Sequence, residues 1–227
     1  MKILVSLCIG IFILSCSHIS KVEPNGIELS RSIVKIQALS VSGKQSMGSG
    51  VVIAPNTIAT NCHVTRTANR AYIIEEERLY PVLAQAAIPE FDVCILKIEP
   101  FTLPIATLAE SEPLKIGDDI TISGYPYALN LRTMGGKVVG LHPYDQDQII
   151  EINAGFNHGA SGGGVFNSSG KLIGLMTFMG QEKGVLHFFV IPASWLVMGL
   201  EKEFVPLRSF SARSFWEKGD FIKQLKN

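Results

Sequence analysis

The sequence predicts an all-β fold, a sandwich or a pair of barrels, on three observations. About ten short runs rich in Val, Ile and Leu recur between Gly, Pro and Asn turn signals, at 33–38, 50–54, 71–74, 93–98, 119–122, 137–141, 149–152, 164–166, 172–176 and 186–191. No segment between them has the pattern of a crossover helix. At 227 residues the chain is long enough for one large domain or two small barrels sharing a core.

The elements follow in order. Residues 1–15 carry one Lys, then a largely apolar run of about a dozen residues, and read as a signal peptide. A bilayer core needs ~20 helical residues, so a permanent span is the weaker reading. Ile13-Leu14-Ser15-Cys16 resembles the bacterial lipobox, which makes Cys16 the expected lipidation site and the membrane a partner through an N-terminal lipid anchor. The expected location is the cell envelope. Residues 16–30, with Pro24 and Gly26, read as a tether. A domain follows over 31–204, divided near 110–116 where Pro113 interrupts the pattern. One convincing helix begins after Pro192, with Ser194 as candidate cap. The tail, 205–227, mixes aromatic and charged residues, and its packing is not readable.

Charge is balanced, 20 basic against 20 acidic residues, so no nucleic-acid groove is expected. No spacing of Cys, His and carboxylates suggests a metal, and nothing suggests a cofactor. Cys62 and Cys94 flank His63 and Asp92; a bridge and a pair of buried thiols are both open readings.

Three segments carry chemistry. Hydrolysis of an amide by a hydroxyl needs a base, an acid that fixes the base's tautomer, and donors for the developing oxyanion. Thr60-Asn61-Cys62-His63-Val64 places His63 at a strand end. Phe91-Asp92-Val93-Cys94 places a carboxylate at a strand head, and Gly159-Ala160-Ser161-Gly162-Gly163 places a hydroxyl in a turn dense in glycine. The glycines allow successive backbone N–H groups to converge on one point. A Gly-rich turn, a lone His or an Asp at a strand head would each be weak alone; their order carries the reading.

These residues, with Gly48-Ser49-Gly50-Val51-Val52-Ile53, Val165-Phe166-Asn167, Gly170-Lys171-Leu172-Ile173-Gly174 and Phe188-Phe189-Val190-Ile191-Pro192, resemble the chymotrypsin-like serine proteases. The likeness is closest to bacterial Deg/HtrA proteases and glutamyl endopeptidases. It implies two six-stranded antiparallel β-barrels with a C-terminal helix. It also implies a catalytic triad of His63, Asp92 and Ser161 and an oxyanion hole of the Gly159 and Ser161 amides. Spacings of 29 residues (92 − 63) and 69 residues (161 − 92) suit two compact barrels. By the same resemblance Phe156, Leu175, Met176, Thr177 and Phe188 wall the primary specificity pocket. Being mostly apolar, they imply cleavage of protein or peptide substrates after small or medium apolar residues.

Departures narrow the expectation. Ala160 stands where many relatives activated by cleavage carry an Asp that pairs with the new N-terminus, so that activation is not expected. The stretch after the nucleophile turn has no His of the kind by which glutamyl endopeptidases read an acidic side chain. A PDZ module of the Deg/HtrA kind is not expected either. Gly159-Ala160-Ser161-Gly162-Gly163 also satisfies the α/β-hydrolase elbow, but a strand follows Ser161, and Glu182 and His187 are too close for that fold's triad. The remaining alternative is a catalytically silent binding or scaffold protein on the same fold.

Overall fold

The structure is a computed structural model, and it describes residues 26–109, 113–219 and 221. The expected signal peptide, the Cys16 lipidation site and most of the tether lie outside the described residues. Residues 26–30, assigned above to the tether, form a helical turn, α1 (Gly26–Ser30), beside the second barrel. Leu29 packs against the inter-barrel core and the Leu29 carbonyl accepts from Ser32 Oγ at 2.9 Å, which ends the turn in contact with the domain.

The first barrel comprises β1 (Ile33–Leu39), β2 (Gln45–Ala54), β3 (Thr57–Asn61), β4 (Arg70–Glu75), β5 (Arg78–Ile88) and β6 (Val93–Ile98). The strands run β4-β1-β2-β3-β6 side by side, all antiparallel, and β5 closes them by pairing with both β4 and β6. The second barrel closes in the order β10-β11-β12-β9-β8-β7, from β7 (Asp119–Gly124), β8 (Arg132–Tyr144), β9 (Asp147–Ile152), β10 (Gly164–Asn167), β11 (Leu172–Glu182) and β12 (Val185–Pro192). Two six-stranded antiparallel barrels are therefore what the sequence led us to expect. The segment that follows β6 is tied to the second barrel where the Leu172 N–H donates to the Thr107 carbonyl.

β3 and β6 are buried almost throughout because both of their faces are covered. Leu96 and Ile98 fill the first barrel, whereas Val93 and Ile95 face a core between the barrels with Leu175, Phe178, Phe189 and Trp195. Helix α3 (Ala193–Leu200) covers this seam, and a Cβ on Gly199 would meet side chains of Val93 and Ile95 at 2.9 Å. Burying Trp195 on it contributes roughly 2–3 kcal/mol. Ser194 is not its cap: β12 runs through an extended Pro192 straight into the helix, and the Ser194 hydroxyl bonds Asp147 Oδ2 in the first turn.

The tail belongs to the folded body. β13 (Val205–Pro206) pairs with β5, the Arg208 carbonyl accepts from Gln85 Nε2, and Phe210 N–H reaches the Arg66 carbonyl. Phe215 and Phe221 are buried in the core between the barrels. Residues 205–219 form a strap across the first barrel rather than an appendage.

Candidate active site

β3 ends in a single helical turn, α2 (Cys62–Thr65), so His63 stands where the first barrel opens. Asp92 follows a short 3-10 turn and adopts φ 60°, a left-handed conformation that Asp tolerates better than most residues. Its carboxylate is fully buried and accepts from the His63 amide on Oδ1 (2.9 Å) and from His63 Nδ1 on Oδ2 (2.7 Å). A carboxylate only accepts, so Nδ1 carries the proton and Nε2 is left as the basic nitrogen. Burial pushes the His63 imidazolium down. The Asp92 charge and hydrogen bond, helped by Glu217 and opposed by Arg66, outweigh burial and hold the pKa above the ordinary 6.5.

Cys62 and Cys94 form a disulfide with Cα atoms 4.8 Å apart, which closes the question left open by the sequence. It joins the residue before His63 to the strand that Asp92 heads, across 32 residues. Closing a loop of that length stabilises by about 3–4 kcal/mol. Reduction, or Cys62→Ser with Cys94→Ser, is expected to lower stability by about that much, measured as a fall in urea midpoint; an unchanged midpoint would contradict it.

Ser161 sits in the turn between β9 and β10, and Ser49 of β2 ties that turn to the first barrel. The Ser49 amide donates to the Ser161 carbonyl (2.8 Å), and Ser49 Oγ donates to the Gly159 carbonyl (2.8 Å) while accepting from Tyr125 N–H (2.9 Å). The approach needs glycine at 162: with φ +84°, a Cβ there would lie 2.2 Å from the Ser49 carbonyl oxygen. The His158 carbonyl accepts from Tyr127 N–H at 2.5 Å. Across a planar trans peptide the Gly159 N–H then points the opposite way. Among the described residues the Gly159 and Ser161 amides have no acceptor, which leaves both free for an anion.

The structure brings His63 and Asp92 into direct contact. Ser161 Oγ bonds instead to the Thr177 carbonyl at 3.4 Å, and among the described residues no hydrogen bond joins it to His63. A mostly apolar cavity of about 320 Å³ lies beside the Gly-rich turn, and of the expected wall residues Phe156 and Met176 line it, with Ala160. Phe188 packs on Phe156 (5.4 Å between ring centres), one layer away. Leu175 faces the core between the barrels, and the buried Thr177 hydroxyl is engaged by Leu175 and Asn61. Successive residues of a strand face opposite ways, so with Met176 on the cavity Leu175 and Thr177 turn away from it. A β-bulge at Thr177 then breaks the alternation of β11 and turns Phe178 to the same side as Leu175.

Three contributors were not singled out from sequence. Ser49 clamps the turn. Asn61 Nδ2 spans the barrels to the Asp92 carbonyl and Thr177 Oγ1, and Trp216 of the strap donates from Nε1 to Asp92 Oδ2 at 3.0 Å. The aromatic residues in an otherwise charged tail were the one signal for the last. Away from the site, His142 of β8 and His187 of β12 both bond Glu151, at 2.7 and 2.6 Å.

The chain matches the trypsin-like peptidase domain over residues 48–175, more than half its length, and belongs to that family. It is 29% identical over 171 residues to the periplasmic serine endoprotease DegP of Salmonella typhimurium, covering 70% of this chain and 36% of that protein. A probable periplasmic DegP-like endoprotease of Halomonas elongata is 31% identical over 138 residues, 58% of this chain and 29% of its own length. The chain thus spans about a third of these relatives. In fold it is similar to the active form of the Rv3671c protease of M. tuberculosis (TM-score 0.72, 22% identity, 85% of this chain and 92% of that one). The HtrA-type protease AlgW with tripeptide is similar too (TM-score 0.69, 23% identity, 77% and 62%).

Proposed function

We propose that this protein is a serine endopeptidase in which Ser161 is the nucleophile, His63 the general base and then acid, and Asp92 the group that orients the imidazole. The observation that carries the reading is the bond from His63 Nδ1 to the buried Asp92 carboxylate, which leaves Nε2 as the basic nitrogen. As Ser161 Oγ attacks the scissile carbonyl, Nε2 takes its proton, and the amides of Gly159 and Ser161 hold the oxyanion. His63 then protonates the leaving amine, and water releases the acyl group by the same steps in reverse roles.

The apolar cavity beside Phe156 and Met176 supports cleavage after small or medium apolar residues. Ala160 is buried against that cavity and offers no charge to a freed amine, which supports competence without N-terminal cleavage. The relatives named periplasmic support an exported envelope protein, and the stretch Ile13-Leu14-Ser15-Cys16 supports an acyl anchor on Cys16. Labelling with a palmitate analogue should then be lost in Cys16→Ser, and a labelled mutant would exclude the anchor.

A fluorophosphonate probe is the direct test. Purified protein is expected to be labelled on the peptide that contains Ser161; absence of label, or label elsewhere, overturns the assignment. The pH dependence has a definite sign. Neutral His63 is the working form and its folded pKa is raised, so labelling and kcat/KM fall on acidification with a midpoint above 6.5. A midpoint at or below 6.5 would contradict this. The stability contributed by the His63–Asp92 pair runs the other way, full below 6.5 and lost as pH rises through the folded value.

A further inference from the structure

The buried Asp92 carboxylate has a third donor, and it comes from the strap. Oδ2 accepts from both His63 Nδ1 (2.7 Å) and Trp216 Nε1 (3.0 Å), while Oδ1 accepts from the His63 amide (2.9 Å). The indole ring meets the imidazole edge-on at 5.5 Å and 88°, and lies flat on Phe178 at 5.1 Å and 6°. One aromatic side chain therefore touches both members of the acid–base pair.

Its placement is fixed from two sides. Phe178 reaches Trp216 only because the bulge at Thr177 turns it off the alternation of β11. The next residue, Glu217, pairs with Arg66 through Nη1 (2.7 and 2.5 Å), and Ser214 adds its amide and hydroxyl to the same carboxylate (3.0 and 2.8 Å). Burial alone would raise the Glu217 pKa; Arg66 and Ser214 hold it down at about 2. Arg66 closes the turn that carries His63, its amide bonding the Cys62 carbonyl at 2.8 Å. The clamp that seats Trp216 thus grips the same turn as the histidine. Trp216 is half-buried, yet its N–H is turned inward to a fully buried acceptor, and packing alone would not direct it at this carboxylate.

We propose that Trp216 is a positioning residue for the His63–Asp92 pair, its N–H sharing the carboxylate with the imidazole so that the strap completes the catalytic site. This rests on the reading of Ser161, His63 and Asp92 as the triad. A second donor on Oδ2 draws electron density from the bond to Nδ1 and tempers the pull of Asp92 on the imidazolium. It also stops the carboxylate from rotating. Without it His63 binds its proton more tightly and gives it up to the leaving amine less readily. The charged groups around His63 are Asp92, Glu217 and Arg66, and substitutions that delete only the indole N–H leave all three in place.

Two replacements test this. Trp216→Phe keeps an aromatic ring against Phe178, and β-(3-benzothienyl)alanine at 216 keeps the full outline of tryptophan; both lack the N–H. The first measurement is the His63 ring-proton titration by NMR in a Ser161→Ala background, where neither turnover nor autolysis intervenes. We expect its midpoint to move to higher pH by about 0.5 pH unit. In the active protein the acid limb of kcat/KM should move with it. A hydrogen bond to a charged group is worth enough to expect kcat lowered roughly tenfold with KM little changed. An unmoved titration in a folded benzothienylalanine protein overturns the proposal, as does unchanged kcat. A Ser161→Ala protein that still cleaves peptides sinks the triad reading itself. A dead Ser161→Ala protein with an unmoved His63 titration sinks only the role of Trp216.

Discussion

Ser161→Ala is expected to lower kcat on a casein-like or peptide substrate by about a million-fold and to abolish fluorophosphonate labelling. The size follows from what is removed. The Gly159 and Ser161 amides survive the substitution, since they belong to a backbone held by Ser49, Tyr125 and Tyr127 rather than by the Ser161 side chain. The variant keeps a place for the oxyanion and has no atom to make the attack, so residual hydrolysis by water is all that remains. Stability should hardly change, because Ser161 Oγ makes one long bond, to the Thr177 carbonyl at 3.4 Å. A variant that retained even a hundredth of wild-type kcat would refute the nucleophile.

Asp92→Asn is expected to cost about ten-thousand-fold in kcat. The three donors around the carboxylate decide how asparagine must sit. If its NH2 takes the Oδ1 place it faces the His63 amide, a backbone donor that cannot turn away. If it takes the Oδ2 place it faces Nδ1 and the Trp216 N–H, and there the imidazole can respond by moving its proton to Nε2. The second arrangement leaves the smaller conflict, and it removes the base from the side where Ser161 needs it. Loss of the carboxylate charge also removes the largest influence raising the His63 pKa, so the residual activity should persist to lower pH. Kinetics and the 15N shifts of His63 would report both effects; a variant retaining a tenth of wild-type kcat with a proton still on Nδ1 would overturn the role given to Asp92.

The residues legible in the sequence are those whose placement is local. His63 lies in the turn just after a strand, Asp92 just before one, and Ser161 among glycines whose spacing announces an unusual turn, so each was marked by its neighbours. β6 was readable to the residue because both its faces are apolar and turns bound it. β5 was missed: its exposed half carries Arg78 and Pro81, and an irregularity between Val82 and Ala84 breaks the alternation that marks a half-buried strand. The bulge at Thr177 was hidden in the same way, and with it the place of Phe178 on the Leu175 side of β11. Ser49, Asn61 and Trp216 could not be read because their partners lie 110, 116 and 124 residues away, and no local pattern encodes a contact of that span.

The strap also sets an order of events. A chain that emerges amino end first presents both barrels before residues 205–219 are available, and the Arg66–Glu217 contact closes a loop of 151 residues. Contacts at such separation bear the largest closure entropy and tend to form late in folding. His63 and Asp92 can meet across the disulfide well before that, yet the indole that shares their carboxylate arrives afterwards. During folding the barrels therefore exist for a time without their full complement of donors, and a refolding experiment should see secondary structure return ahead of hydrolysis.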